Sequence, residues 1–247
     1  FSKNKIFSNN IKLKNISFNY GTDKKIAVNN INIDIAKGKS VGLIGKSGSG
    51  KSTLVDIIIG LLEPSTGEIF IDDNNIGIKK ISWQRQLGYV PQEVYLLDDT
   101  IRNNITFGIE KEEIDEKLLS DVIEKSQLKN LVNSLPKKLN TLIGDRGARL
   151  SGGEKQRIGI ARALYNKPKV IVFDEATSSL DIYNENKILK EIYENKKDKT
   201  LIIISHRNNT VKYCDLIYVM EDGKIIDNGT FEQIMKKHSY LKENVVT

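Results

Sequence analysis

The chain has 247 residues, of which 39% are hydrophobic and 28% charged, as expected for a globular protein with one α/β core and an inserted subdomain. Its net charge is +6, but the lysines are spread along the chain, which favours a solvated surface over a nucleic-acid site. The single cysteine, Cys214, excludes an internal disulfide and is expected to pack in the core. No apolar run reaches the roughly 20 residues that span a bilayer.

Two strands are predicted near the start of the chain. In residues 11–20 the apolar side chains alternate, with one slip near Asn15, as in a half-buried strand. Tyr20 closes this strand just before a turn, and a second alternating strand is predicted around residues 31–35. The preceding segment, Phe1–Asn10, is polar and basic and lacks the apolar region of a signal peptide.

The next segment has the order strand, glycine loop, helix. The apolar run 40–44 predicts a buried strand and the run 54–62 a helix, and the loop between them matches GxxxxGK[ST]. Its glycines let backbone N–H groups approach phosphate oxygens, Lys51 adds a positive charge at the β- and γ-phosphates, and Ser52 offers a hydroxyl to Mg²⁺. A simple turn between core elements would not explain the Lys-Ser pair. The predicted nucleotide-binding residues are Gly45, Lys46, Ser47, Gly48, Ser49, Gly50, Lys51, Ser52 and Thr53.

The rest of the chain alternates between strand and helix patterns. Further strands are predicted at residues 68–71, 87–90, 169–173 and 201–204, and helices at 114–126, 128–135 and 184–193. Alternation of strands and helices implies a parallel sheet with helices on both faces, and continuous apolar runs are typical of its buried strands. Near the end, Asp222-Gly223 predicts a tight hairpin, and Thr230 with Gln233 predicts a capping box that opens a last helix.

Two adjacent carboxylates follow the buried run 169–173. Neighbouring residues at a strand end point in different directions, so Asp174 and Glu175 can do different work. Asp174 is predicted to bind the Mg²⁺ that Ser52 also binds, and Glu175 to orient or deprotonate the water that attacks the γ-phosphate. A solvated strand end is the alternative, and the presence of the glycine loop argues against it.

A second motif, LSGGE, begins at Leu150 and precedes a predicted helix. The hydroxyl of Ser151 and the N–H groups of Gly152 and Gly153 at a helix start would form a second anion site. Together with the glycine loop and the Asp174-Glu175 pair, this motif strongly resembles the nucleotide-binding domain of ATP-binding cassette (ABC) transporters. The resemblance implies an α/β fold: a P-loop NTPase core with a mainly parallel sheet, an antiparallel β subdomain and an inserted helical subdomain.

The family resemblance also implies a mechanism. Two copies would form a head-to-tail dimer around two ATP molecules with Mg²⁺, each ATP held by Lys51 of one protomer and by Ser151 of the other. The ATPase reaction would use Glu175, His206, Gln92 and Lys51, with Ser52, Gln92 and Asp174 at the metal. The resemblance places the following further residues at the nucleotide: Tyr20 on adenine, His206 at the γ-phosphate, Ser151, Gly152, Gly153 and Glu154 from the signature, and Asp181 from the loop 179–181 that communicates across the dimer.

The same resemblance divides the chain and favours an exporter or flippase. Residues 1–10 would link it to a preceding membrane domain, residues 11–92 and 166–247 would form the ATP-binding core with its antiparallel β part, and residues 93–165 the helical signature subdomain. The segment 141–147 resembles a loop of exporter-type cassettes, and Tyr95–Asp99 would lie beneath the membrane domain. The expected location is the cytoplasmic face of the inner (plasma) membrane.

Two alternatives stay open at the level of the sequence. The chain could be the separate ATPase subunit of an ABC importer, or a non-transport ABC ATPase that acts on nucleic acid or ribosomes. The second class usually shows paired cassettes, a zinc insertion or a long coiled coil, and this sequence has a single cassette with no cysteine cluster. No nucleic-acid partner is therefore expected.

Overall fold

A computed structural model describes residues 7–21, 26–177, 179–194, 196 and 199–238, without the side chains of residues 78, 79 and 182. The strands are β1 (Asn10–Asn19), β2 (Ile26–Ala36), β3 (Ser40–Ile44), β4 (Thr66–Ile71), β5 (Asn74–Asn75), β6 (Leu87–Val90), β7 (Val170–Asp174), β8 (Thr200–Ile204), β9 (Leu216–Glu221) and β10 (Lys224–Gly229). The helices are α1 (Lys51–Ile58), α2 (Ile76–Gln84), α3 (Ile101–Ile105), α4 (Glu116–Lys125), α5 (Lys129–Ser134), α6 (Gly152–Tyr165), α7 (Ile182–Glu194), α8 (Asn208–Val211) and α9 (Phe231–Lys237).

The chain divides into two compact units. The first is Phe1–Leu87 with Lys196–Thr247, and the second is Gly88–Asn195. Within the second unit, α7 contacts α4, and the Ser179 amide donates to Gln156 of α6. The division into an ATP-binding core (residues 11–92 and 166–247) and a helical signature subdomain (residues 93–165) stays a prediction.

The first unit contains an antiparallel sheet with the strand order β2-β1-β4-β5. The register of β1 on β2 shifts between Leu13 and Ile16, and Asn15 adopts a positive φ of 51° there, which confirms the predicted slip. Apolar side chains of β1 and β2 on one side of the sheet are buried, as their alternation predicts.

The same unit holds four strands in the order β10-β9-β3-β8. Strand β3 is buried throughout and pairs in parallel with both β8 and β9, which confirms the interpretation of the apolar runs as buried parallel strands. The predicted hairpin joins β9 to β10, and Thr230 and Gln233 form the predicted capping box of α9. Cys214 is buried, as expected.

The second unit carries β6 and β7 as neighbouring strands together with helices α3 to α7. Strand β7 is buried along its whole length. The structure thus confirms the expected α/β class with parallel and antiparallel strands and a largely helical insert. No helix in the described ranges is both long and apolar enough to cross a bilayer.

The start of the described chain is held by a carboxylate rather than running free. The backbone N–H groups of Ser8, Asn9 and Asn10 donate to the Asp72 carboxylate over 2.7 to 3.0 Å. Phe7 is buried in the first unit and contacts Trp83 edge-on. The end of the predicted linker 1–10 is therefore part of the fold, and residues 1–6 lie outside the described residues.

A polar network fixes the start of β3, the strand that leads to the glycine loop. Asp215 Oδ2 accepts hydrogen bonds from the Ser40 amide (2.8 Å), from Ser40 Oγ (2.7 Å) and from Lys196 Nζ (3.0 Å). Partial burial disfavours the Asp215 carboxylate, but the hydrogen bonds from Ser40 and Lys196 outweigh it and lower its pKa well below the usual range.

We expect Asp215→Asn to lower the melting temperature by a few degrees at pH 7. Because the folded-state pKa is depressed, the carboxylate stabilises the fold above the unfolded pKa of about 3.9, and this contribution is lost as the pH falls towards the folded pKa. Thermal unfolding of both proteins from pH 7 to pH 3 measures this, and the difference between them should shrink below about pH 4. A constant difference across the range would contradict the network's role, and Glu194→Gln in an exposed ion pair is the control.

Candidate functional site

The glycine loop in the first unit can be built only with glycine at two of its positions. Gly45 and Gly50 adopt φ values of 151° and 97°. A Cβ on Gly45 would lie 2.1 Å from the Met220 carbonyl oxygen, and one on Gly50 would lie 2.3 Å from that of Ala27. The loop therefore presses its backbone against neighbouring strands, and it keeps its other side, Lys46 to Gly48, exposed.

Lys51 is the first residue of α1 and is only 4% exposed. Its ammonium group donates to the carbonyl oxygens of Gly45 (2.9 Å) and Lys46 (2.8 Å) and to Ser49 Oγ (3.3 Å). A positive charge is thus held inside the turn of the loop, at the N-terminal end of a helix. A buried cation, an exposed stretch of loop backbone and the positive end of a helix together fit a phosphate group.

Tyr20 lies beside the start of α1. Its hydroxyl is hydrogen-bonded to Thr53 Oγ1 over 3.1 Å, and its ring packs edge-on against Phe18 with centroids 4.9 Å apart. The side chain is nevertheless 56% exposed. The structure therefore places an exposed aromatic ring beside the helix that follows the glycine loop, and its contact with adenine stays a prediction.

His206 leaves the sheet at the same edge as the glycine loop. Strands β3 and β8 are parallel with Leu43 opposite Ile204, and the Ser205 amide donates to the Leu43 carbonyl oxygen over 3.4 Å. Gly45 lies two residues after Leu43, and His206 lies two residues after Ile204. His206 is exposed. In the first unit, the predicted residues from the loop, from β8 and from Tyr20 are thus placed by elements that pack directly on one another.

In the second unit, Asp174 ends β7 and is buried, with 6% of its surface exposed. The Tyr89 hydroxyl of the neighbouring strand β6 donates to Asp174 Oδ2 over 3.4 Å. Tyr89 was not among the site residues predicted from the sequence. The available signal was a tyrosine within the strand that leads to Gln92, but strand pairing alone decides that it faces Asp174.

Glu175 has a positive φ of 49°, a conformation that is uncommon for a residue other than glycine and is often found at functional positions. Its carboxylate accepts a hydrogen bond of 2.9 Å from Gln92 Nε2. The structure therefore brings together two residues that lie far apart in the sequence and that were both predicted to take part in the ATPase reaction.

The LSGGE motif opens α6 with a capping box. The amide and the hydroxyl of Ser151 donate to Glu154 Oε2 over 2.7 and 2.9 Å, and the Glu154 amide donates back to Ser151 Oγ over 3.3 Å. Ser151 and Gly152 are exposed at the N-terminal end of a 14-residue helix. The arrangement offers backbone donors and a positive helix end to an anion, although Glu154 occupies part of the hydrogen-bonding capacity of Ser151.

The predicted loop 179–181 lies against the start of this helix. The Ser179 amide donates to Gln156 Oε1 over 3.1 Å, and a Cβ on Gly152 would lie 3.3 Å from that of Ser179. Asp181 is exposed and accepts hydrogen bonds from the backbone and side chain of Asn184, which lower its pKa. Loop 179–181 and the signature thus form one continuous surface of the second unit.

Comparison with known proteins gives consistent matches. The family model described as "ABC transporter" matches residues 28–178. The chain is 40% identical over 230 residues to ATP-binding cassette sub-family B member 5 of Mus musculus, covering 92% of this chain and 18% of that protein. It is 39% identical over 232 residues to the alpha-hemolysin translocation ATP-binding protein HlyB of Escherichia coli O157:H7, covering 94% of this chain and 33% of that protein.

A solved structure is also similar over nearly the whole chain. The structure of a bacterial Atm1-family ABC exporter with ATP bound matches with a TM-score of 0.91 and 31% identity, over 97% of this chain and 42% of that one. The chain spans a third or less of the length of these two curated relatives.

Proposed function

This chain belongs to the ABC transporter family, and we propose that it binds and hydrolyses ATP to drive an exporter or flippase. The observation that carries the proposal is the buried Lys51 ammonium, which the glycine loop holds at the start of α1. The solved structure that it resembles is an exporter with ATP bound. ATP is therefore the ligand that we assign to this loop.

The first unit would supply most contacts to one ATP. Lys51 would exchange its carbonyl partners for β- and γ-phosphate oxygens, and the loop amides would donate to the same groups. The exposed ring of Tyr20 would stack on adenine, and His206 would contact the γ-phosphate from the end of β8. Ser52 would hold Mg²⁺ through its hydroxyl, and this ion would offset phosphate charge.

The second unit would supply the groups that act on metal and water. Asp174, buried and hydrogen-bonded by Tyr89, would be the acidic ligand of Mg²⁺, and Gln92 would be a further ligand. Glu175 would accept the proton of the attacking water. Its hydrogen bond to Gln92 Nε2 holds the carboxylate in one orientation. Binding of Gln92 to Mg²⁺ would break this hydrogen bond and leave the Glu175 carboxylate able to accept the proton.

The signature surface would complete the site of a second copy. Ser151 and Gly152 are exposed at the start of α6, where a head-to-tail dimer with two ATP molecules requires donors. Ser151 would exchange the Glu154 carboxylate for a phosphate oxygen, and the Gly152 and Gly153 amides would donate beside it. Both halves of a working site occur in this chain, so two copies would suffice.

Turnover measured against protein concentration tests the dimer. We expect the rate of phosphate release to rise faster than linearly, because each active site needs two molecules. A variant with Ser151→Ala should bind ATP like the wild type and lose turnover by about tenfold or more. A strictly linear rate in the wild type would show that one molecule suffices and would overturn the dimer.

The second unit also offers a surface to a membrane domain. Tyr95 and Leu97 are exposed apolar side chains, and Tyr95 borders an open cavity of about 600 Å³ that Gln92 and Arg146 also line. We assign this surface to a membrane domain that precedes the chain in the same polypeptide, which would place the chain at the cytoplasmic face of the inner membrane. Sequencing the gene upstream of Phe1 tests this assignment, since a start codon there would favour an importer subunit instead.

A further inference from the structure

Helix α6 carries the signature at its N-terminal end, and near its other end it is attached to the segment 94–107. We call this attachment, formed by Gly159, Arg162 and Asn104, the α6 brace. The segment 94–107 displays the exposed side chains of Tyr95, Leu97 and Phe107. The inference below rests on the proposed function, in which a partner contacts that segment.

Asn104 is the centre of the brace and is fully buried. Its Oδ1 accepts from the Leu97 amide over 2.9 Å, and its Nδ2 donates to the carbonyl oxygens of Leu97 (3.1 Å) and Thr100 (3.0 Å). The Asn104 side chain thus joins the backbone of Leu97 and of Thr100, and so fixes the loop that precedes α3. A satisfied, buried network of this kind holds the loop in one conformation.

Arg162 of α6 binds this loop with three nitrogen atoms. Its Nε donates to the Asn104 carbonyl oxygen (2.7 Å), Nη1 to that of Tyr95 (2.9 Å), and Nη2 to Asn104 Oδ1 (3.0 Å). The guanidinium also lies 5.7 Å from the ring centroid of Phe107. Burial lowers the pKa of the Arg162 guanidinium, as expected for a partly desolvated cation.

Gly159 lies one turn before Arg162 on the same face of α6. A Cβ at this position would be 2.6 Å from Val94 Cγ2, so no larger residue fits without displacement of the helix or the loop. The close contact of Gly159 with Val94 and the hydrogen bonds of the Arg162 guanidinium therefore both join α6 to the segment 94–107.

The N-terminal half of α6 is attached to a different part of the second unit. Gln156 is buried and accepts the hydrogen bond from the Ser179 amide. At about 1.5 Å per residue, Arg162 lies about 16 Å along the axis from Ser151. A helix held at both ends transmits a displacement of one end to the other, because its backbone hydrogen bonds resist compression.

We propose that Arg162 is a positioning residue that fixes the signature end of α6 relative to the segment 94–107. Through the brace, a partner that displaces Tyr95, Leu97 or Phe107 shifts the Ser151 donors relative to loop 179–181. Arg162 itself contacts neither ATP nor the attacking water molecule in this proposal.

Two variants disturb the brace in different ways. Arg162→Lys keeps the charge but cannot reach three acceptors with one ammonium group, and Gly159→Ala inserts a methyl group against Val94. In each we expect ATP turnover to fall by about tenfold while the Kd for ATP stays at the wild-type value. The control is Lys190→Ala, which removes an exposed lysine of α7.

Amide hydrogen exchange separates positioning from a merely local effect. We expect the amides of both Leu97 and Ser179 to exchange about tenfold faster in the two variants than in the wild type. Both variants should remain folded, with unfolding temperatures well above the temperature of the measurement. Faster exchange at Leu97 alone, with wild-type exchange at Ser179 and wild-type turnover, would overturn the proposal.

Should Arg162→Lys fail to fold, Gly159→Ala alone decides between these outcomes. The proposed function fails separately, namely if the wild-type chain shows no ATP turnover that depends on Lys51. Exchange at Ser179 would still report on the brace in that case.

Discussion

Replacing Lys51 with alanine should weaken ATP binding by about a hundredfold or more. The ammonium is buried in the loop, and removal of a buried charge from a hydrogen-bonded ion pair typically costs about 2 to 5 kcal/mol. Helix α1 should persist, because alanine favours a helix and the partners of the ammonium, Gly45, Lys46 and Ser49, all precede the helix. Equilibrium titration with a fluorescent ATP analogue, together with the melting temperature, measures both effects.

The same unit provides the matched control. Lys37 is an exposed lysine in the turn between β2 and β3, outside the glycine loop. Lys37→Ala should therefore bind ATP within about threefold of the wild type, since an exposed charge contributes little. Equal loss of affinity in both variants would indicate a general charge effect, and unchanged affinity in Lys51→Ala would remove the loop from nucleotide binding.

Glu175→Gln should leave ATP binding intact and reduce turnover by about a hundredfold or more, in the range for loss of a general base. The new amide oxygen can still accept the hydrogen bond from Gln92 Nε2, so the local structure should hold while the proton acceptor is lost. Since ATP is then bound but not consumed, the dimer should accumulate. Phosphate release and size-exclusion chromatography with ATP measure these two results.

Glu93→Gln makes the same chemical change at an exposed carboxylate beside Gln92 and should retain wild-type turnover. If Glu175→Gln also turned over ATP at a near-normal rate, Glu175 could not be the base. If Glu175→Gln lost turnover but the dimer did not accumulate, Glu175 would still be needed for hydrolysis. ATP binding alone would then not be enough to hold the dimer together.

Predictions from local pattern succeeded where one short stretch contains the whole signal. Strands β3 and β6 have the predicted bounds, and β7 and β8 differ by a single residue at one or both ends. The strands β3, β7 and β8 are buried on both faces, which leaves little freedom in their assignment. The capping box of α9 and the turn between β9 and β10 were likewise confirmed, because each depends on two or more residues close in sequence.

Helix α2 was not predicted, and the reason lies in its environment. Its sequence, Ile76–Gln84, has a weak amphipathic pattern and no strong helix formers in its first turn. The helix is held instead by Trp83, which is fully buried and donates from Nε1 to the Ile58 carbonyl oxygen at the end of α1. A contact between residues 25 positions apart cannot be predicted from the spacing of apolar residues within one short segment.

The sequence by itself determined the chemistry of this protein: a glycine loop with Lys51 and Ser52, a strand ending in two carboxylates, and a signature at a helix start. These signals are local, because backbone conformation and side-chain type within a few residues decide them. Only the tertiary structure decided which groups face one another, as with Tyr89 and Asp174, Gln92 and Glu175, and Arg162 and Asn104. Such pairs depend on strand neighbours and helix packing, which many sequences can achieve and which no spacing along the chain encodes.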